Sequence, residues 1–289
     1  MNYVEPVYRP PGEARSLIIQ ATVGCSHNGC TFCGMYKGKR FYIKSMEEIL
    51  SDIREAACYY GNFDKIFLAD GDAIVMPTSD LLCIIEELKK YYPTARLIST
   101  YAGPKSTLTK SVSELKELRS AGLGRAYLGI ESGDDTVLAH TNKGVTSSEM
   151  LEAGMRLKEA GIDLWGIILI GLGGRSGSVQ HIKQTTEFIN RLQPQHLSSM
   201  NYTPVRGTKL YKEIQDGSFE VLTANESLIE TRDLIAGLTV ENMHFTSDHA
   251  SNYLPIKGTL SADKEKLVAL LDAAVQGKIG IRSEWSRGL

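Results

Sequence analysis

Between residues 16 and 202, short apolar runs alternate with longer stretches whose apolar residues recur at helical spacing. Six of the short runs, at 16–23, 65–69, 96–101, 126–130, 164–170 and 196–202, have the near-continuous apolar character of parallel strands buried on both faces. The stretches between them carry helix start signals. Ser45 with Glu48, Ser111 with Glu114 and Thr146 with Glu149 each place a hydroxyl three residues before an acid, so that the two side chains can satisfy the free N–H groups of a first helical turn. Met46, Ile49, Leu50, Ile53, Ala57 and Tyr60 follow at helical spacing and predict one buried stripe. Stop signals are equally legible: helices expected at 79–91 and 178–192 end ahead of Pro93 and Pro194, and two others run into Gly122 and Gly161. Six strand–helix units predict an α/β fold, a partial (β/α)6 TIM-like barrel that stops short of the closed eight-unit form.

Beyond Pro204 the pattern changes. Pro204 to Gly207 reads as a turn, 227–235 and 262–276 read as helical, and 246–258 has no clear period. No linker composition, long repeat or low-complexity segment sets this tail apart. The expectation is a single domain over 1–289, with a core of about 14–211 and a helical C-terminal extension of about 212–289.

Charge narrows the possible partners. With 32 Lys and Arg against 34 Asp and Glu, the formal net charge of −2 excludes a generally basic surface of the kind that binds nucleic acid or anionic membrane. No apolar run approaches the roughly 18 residues that cross a bilayer. The first fifteen residues contain Glu5, Pro6, Pro10, Pro11 and Glu13 where a secretion signal would need an apolar core, so a soluble, cytoplasmic protein is expected. Of the five Cys, three fall within nine residues, which in a reducing compartment suggests metal or redox chemistry rather than a disulfide framework. Cys58 and Cys83 sit in helical patterns and are expected to be core thiols.

The clustered thiols, Cys25, Cys30 and Cys33, follow directly on the first predicted strand, among Gly24, Gly29 and Gly34. In a parallel β/α fold, chemistry is placed in the loops after the strands. Three thiolates can hold three irons of a [4Fe–4S] cluster and leave the fourth open to an exogenous ligand. Two other readings compete: His27 completing a Cys3His zinc site in a binding protein, and an iron–sulfur centre that only transfers electrons.

Later strand ends also carry candidate chemistry. Asp70, Gly71 and Asp72 follow the second strand, Glu131 and Ser132 end the fourth with Lys143 twelve residues beyond Glu131, and Ile170 and Gly171 lie in a glycine-rich end of the fifth. Taken singly these read equally well as an acidic helix-capping turn, a solvated lysine and a tight β–α turn. Taken together, over about residues 17–211, they resemble the radical S-adenosylmethionine (SAM) superfamily. The similar branch contains the Elongator catalytic subunit, the tRNA methylthiotransferases and oxygen-independent coproporphyrinogen oxidase. That family's usual loop has three residues between its first two Cys and two between the last, with an aromatic before the third. This chain has four and two, with Phe32 as the aromatic, so its loop departs from the pattern by one residue.

The resemblance implies an oxygen-sensitive [4Fe–4S] cluster on Cys25, Cys30 and Cys33, with SAM bound through its amine and carboxylate at the open iron. Gly71 and Asp72 would face the methionyl amine, Glu131 with Ser132 the ribose, Lys143 the methionyl carboxylate, and Ile170 and Gly171 the adenine. Phe32 would lie beside the cluster and Ser99 or Tyr101 near the cofactor, while Ile167 stands where some relatives carry an acid. A reductant such as flavodoxin or ferredoxin would supply the electron. With no second cysteine cluster and no nucleic-acid or cobalamin module legible in the chain, a small, polar substrate is expected. Its wall is expected to be built from His249, Asn252 and Tyr253 of the tail loop with Arg206, together with Tyr36, Lys37 and Arg40.

Overall fold

The structure of the protein, a computed structural model, describes residues 1–287. The chain divides into two compact units. The first comprises 1–28, 35–128 and 152–164; the second comprises 29–34, 129–151 and the chain from Trp165 onward.

In chain order the first unit carries β1 (Leu17–Gln20), a side ribbon of β2 (Thr22–Val23) and β3 (Tyr42–Ile43), α1 (Met46–Tyr59), β4 (Lys65–Ala69), α2 (Thr78–Tyr91), β5 (Leu97–Tyr101), α3 (Pro104–Leu108), α4 (Val112–Ala121) and most of β6 (Leu123–Glu131). β1, β4, β5 and β6 pair in that order and all in parallel, with Ile19 opposite Leu68, Ile66 opposite Ile98 and Thr100 opposite Ala126. Ile66, Phe67, Leu68 and Ala69 are all buried. A strand covered on both faces favours apolar side chains, which is why the sequence shows runs instead of alternation.

The start signals fold as read. Ser45–Glu48 and Ser111–Glu114 form complete capping boxes, and Thr146 exchanges the same reciprocal bonds with Glu149. The predicted stripe of α1 is rotated, however. Its buried residues are Ile49, Asp52, Ile53 and Ala56, and Tyr60 is exposed. The Lys44 ammonium lies 2.7 Å from the buried Asp52 carboxylate, which also accepts the Asn2 N–H at 2.9 Å, and this pair fixes the helix face. Cys58 and Cys83 are exposed, contrary to their expected core positions, because both fall outside the buried faces of their helices.

The chain continues with α5 (Asp135–His140), α6 (Ser147–Glu159), β7 (Asp163–Ile170), α7 (Gly174–Leu192), β8 (His196–Asn201), α8 (Lys209–Asp216), α9 (Ala224–Gly237), β9 (Met243–Ser247), β10 (Ile256–Leu260) and α10 (Lys264–Val275). In the second unit β8 runs parallel to β7, β9 parallel to β8, and β10 antiparallel to β9. The tail thus adds two strands to an extension expected to be helical. β9 does alternate, burying Met243, Phe245 and Ser247 and exposing His244, but over only five residues with a histidine and a serine among them. The architecture is a mixed β-sheet core with flanking helices and a C-terminal extension, a partial (β/α) barrel. Among the described residues no helix is long and apolar enough to cross a membrane.

Candidate functional site

In the first unit the chemistry gathers after β2 and β4. Gly24, at φ +78°, turns the chain out of β2 into Cys25, which is part-exposed. The loop after β4 is stitched to this turn: the Asp70 N–H donates to the Thr22 carbonyl at 3.1 Å and the Gly71 N–H to the Gly24 carbonyl at 3.0 Å. Gly71 admits a close approach that any side chain would block, since a Cβ there would lie 2.6 Å from the Tyr36 ring and 3.1 Å from the Cys25 Cβ.

Asp70 is fully buried, and its Oδ2 accepts from the Lys39 ammonium at 3.0 Å, the Gly24 N–H at 3.1 Å and the Gln20 amide at 3.2 Å. The buried Tyr36 hydroxyl interacts with the Asp70 carboxylate. Burial, reinforced by the Asp70 charge, pushes the Tyr36 phenol far above its ordinary value. Asp72 is more completely engaged: it accepts from the Ser106 hydroxyl at 2.5 Å, the Gly103 N–H at 2.7 Å and the Ser26 hydroxyl. Ser99 is buried within the sheet and donates to the Ile66 carbonyl at 3.3 Å, while Tyr101 meets Phe67 edge-on. Lys37 and Arg40 are exposed.

The second unit holds the other half of the cysteine loop. Phe32 packs with Leu169 and Tyr202 against the buried cluster of Val137, Leu172, Leu210 and Phe219. The Thr31 N–H donates to the Thr141 carbonyl at 2.9 Å, the Leu210 N–H to the Thr31 carbonyl at 3.0 Å, and the Asn142 amide to the Gly29 carbonyl at 2.9 Å. Cys30 and Cys33 are therefore carried on a backbone tied to the segment that leads into Lys143. The Lys143 ammonium stands 3.0 Å from the Glu131 carboxylate, both side chains being only 10% and 13% exposed. Glu131 sits at φ +62°, a left-handed conformation seldom adopted by a non-glycine residue. Gly129 is needed beneath the pair, because a Cβ there would fall 2.5 Å from Glu131 Oε1.

Ser132 is buried, with its hydroxyl 2.9 Å from His181 Nδ1 and accepting the Asp134 N–H at 2.9 Å. His181 Nε2 lies 3.1 Å from the Leu169 carbonyl, which can only accept, so Nε2 carries the proton and Nδ1 accepts from Ser132. Burial lowers the His181 pKa to about 4, in keeping with a neutral ring. Ile170 is buried, and Gly171, at φ +82°, donates its N–H to Glu230 Oε2 at 2.6 Å. Neither His181 nor Glu230 stands out in the sequence, since each is a single polar residue within a mixed helical stretch and belongs to no motif.

The buried Asn252 amide donates to the Ser199 carbonyl at 2.9 Å and accepts the Asn201 N–H at 2.9 Å, tying its loop to β8. The Tyr253 hydroxyl donates to Glu284 at 2.7 Å and accepts from Arg287 at 2.7 Å, with the Arg287 guanidinium 4.1 Å from the ring centre. His249 accepts the Ser251 N–H at 3.1 Å, and burial lowers its pKa. Arg206 is exposed on the turn after β8.

Residues 19–189, which include all three clustered Cys, Glu131, Lys143 and Gly171, match the radical SAM superfamily. The chain belongs to that superfamily. It is 27% identical over 209 residues to the 4′-phospho-dehydrooxetanocin synthase of Priestia megaterium, covering 65% of this chain and 28% of that one. It is 26% identical over 198 residues to the tRNA-2-methylthio-N(6)-dimethylallyladenosine synthase of Syntrophus aciditrophicus, covering 65% and 41%. This radical SAM chain thus spans less than half the length of both relatives. In fold it is similar to coproporphyrinogen III oxidase (HemN) from Escherichia coli, with a TM-score of 0.60 at 17% identity over 77% of this chain and 53% of that one.

Among the described residues no three His, Cys, Asp or Glu side chains are grouped to hold one metal ion. A closed zinc site asks four ligands to meet at a single centre. A [4Fe–4S] cluster asks something else of a radical SAM protein: each thiolate takes its own iron, so the sulfurs stand apart. Three part-exposed Cys on one loop, each able to take its own iron, fit that demand.

Proposed function

We propose that this chain is a radical SAM enzyme that holds a [4Fe–4S] cluster on Cys25, Cys30 and Cys33 and acts on a small polar substrate. When bound, the cluster and SAM supply one-electron reductive cleavage to a 5′-deoxyadenosyl radical, which abstracts hydrogen; the electron comes from a reductant such as flavodoxin or ferredoxin. The observation that carries the reading is the three-cysteine loop that follows β2, inside a superfamily match that runs on into α7.

The chain's own residues bind and orient. Lys143 receives the methionyl carboxylate and Glu131 the ribose hydroxyls, each exchanging its present partner for a ligand group of matching chemistry. Ile170 and Gly171 receive the adenine. Gly71 brings the loop after β4 hard against the Cys25 turn, and that loop receives the methionyl amine with the acids Asp70 and Asp72 beside it. Asp72, Ser99 and Ser132 act by fixing the loops, and Asn252 and Tyr253 by fixing the tail against β8. His249 and Arg206 are left as the tail residues that could orient a polar substrate.

The test is anaerobic reconstitution followed by iron and sulfide analysis and by reduction with dithionite in the presence of SAM. The expected result is about four irons per chain, lost on Cys30→Ala, and formation of 5′-deoxyadenosine. Protein that takes up zinc but no iron, or that leaves SAM intact under strong reductant, overturns the proposal.

A further inference from the structure

The turn between β7 and α7 is gripped from the C-terminal extension. Gly171 starts it in a left-handed conformation, and the Gly174 N–H closes it on the Gly171 carbonyl at 3.1 Å. One carboxylate of α9, Glu230, reaches both ends: Oε2 accepts the Gly171 N–H at 2.6 Å and Oε1 accepts the Ser178 hydroxyl at 2.7 Å. Two further links are superficial. Arg175 pairs with Glu220 and Glu226, both at 2.9 Å, but all three side chains are substantially exposed, and such pairs contribute little. Its backbone N–H also donates to the Glu220 carbonyl at 2.8 Å.

Glu230 differs from them in being 2% exposed. Burial pushes its carboxyl up to about 7, against the two hydrogen bonds that pull it down, so the position is an unfavourable one for a carboxylate. A buried carboxylate that reaches from α9 to the Gly171 N–H and the Ser178 hydroxyl together fixes the geometry of the turn at both ends. Gly171 and Gly174 are both left-handed, at φ +82° and +65°, and a Cβ at Gly174 would fall 2.9 Å from the Phe219 ring.

We infer that Glu230 is a positioning residue for SAM, setting through the Gly171 amide the conformation of the turn that receives adenine, and that the C-terminal extension is therefore part of the cofactor site. This rests on the reading of Ile170 and Gly171 as the adenine subsite. In the reconstituted holoprotein, Glu230→Ala is expected to raise the SAM dissociation constant about 10-fold, the scale of one buried backbone donor left unsatisfied. Binding of free methionine, which lacks adenine, is expected to stay unchanged. Amide exchange at 171–178, measured without ligand, is expected to quicken. Glu230→Gln should restore all three, because the carboxamide can accept from Gly171 and donate to the Ser178 hydroxyl. If Glu230→Ala does not fold, Glu230→Asp, one methylene shorter, takes its place with the same expectations. A wild-type holoprotein without SAM affinity defeats the adenine reading, and this inference with it. Wild-type SAM affinity in the alanine variant, or an equal loss of methionine binding, defeats the inference alone.

Discussion

The loop after β4 and the segment after β6 each present a carboxylate at a strand end, and the two are built in opposite ways. Asp72 is buried and saturated by two hydroxyls and a backbone N–H. Glu131 is part-exposed and is held by a single lysine that can turn elsewhere. Hydrogen-bonding partners, not residue type, decide which acid builds the loop and which is left to meet a ligand.

That contrast is exposed most sharply by Asp72→Ala, which strands the Gly103 N–H and two hydroxyls. It is expected to lower unfolding stability by about 3 kcal/mol in urea titration. A loss under 1 kcal/mol would make Asp72 an open acceptor like Glu131. The mirror experiment is Glu131→Ala. It is expected to lower stability less, by about 1 kcal/mol, because Lys143 loses its carboxylate, but to weaken SAM binding by about 1.5–3 kcal/mol, roughly 10- to 100-fold in calorimetric titration. Unaltered affinity with an intact cluster would place Glu131 with the structural acids.

Glu230 supplies a third carboxylate, intermediate between these two. Its pKa is raised on folding from 4.5 to about 7, so the folded state holds the proton more tightly. The stability this contributes is fully present below 4.5 and is lost as pH rises through about 7, at up to roughly 1.4 kcal/mol per pH unit. Glu230→Gln is expected to remove that component from the pH dependence of melting, and an unchanged profile would show that the carboxyl titrates at its ordinary value. Asn252→Ala, which unpairs the Asn201 N–H and the Ser199 carbonyl, is expected to cost about 1–2 kcal/mol. Arg206→Ala, on an exposed turn, is expected to stay within about 0.5 kcal/mol of wild type, and any effect on product formation would then report on the substrate.

Much of the scaffold was legible because it follows local rules. Strands covered on both faces favour apolar residues, with an occasional buried hydroxyl such as Ser99, and a hydroxyl three residues before an acid is a local capping signal, so six strands and three caps could be read directly. The rotation of α1 was not legible, because it depends on a buried Lys44–Asp52 pair that spacing cannot reveal. β9 and β10 are too short and too mixed to outweigh their surroundings. The candidate site divides in the same way. Its thiols and its Glu131–Lys143 pair follow from motif and order, whereas the work of His181, Glu230 and Asn252 is set by neighbours distant in sequence. A polar loop meant for substrate and a polar loop meant to satisfy a strand's backbone look alike until the acceptors are known.

The ion pair at the end of β6 also bears on which solutes the site can refuse. A lysine already neutralised by a carboxylate at 3.0 Å offers an inorganic anion only what can be gained by evicting Glu131. Sulfate or phosphate that did so would leave that carboxylate unpaired in a place only 13% exposed. A molecule that brings an acid for Lys143 and hydroxyls for Glu131 satisfies both at once. Glu131 thus guards the Lys143 cation, and inorganic anions should compete poorly there even at concentrations far above that of a ligand carrying both groups.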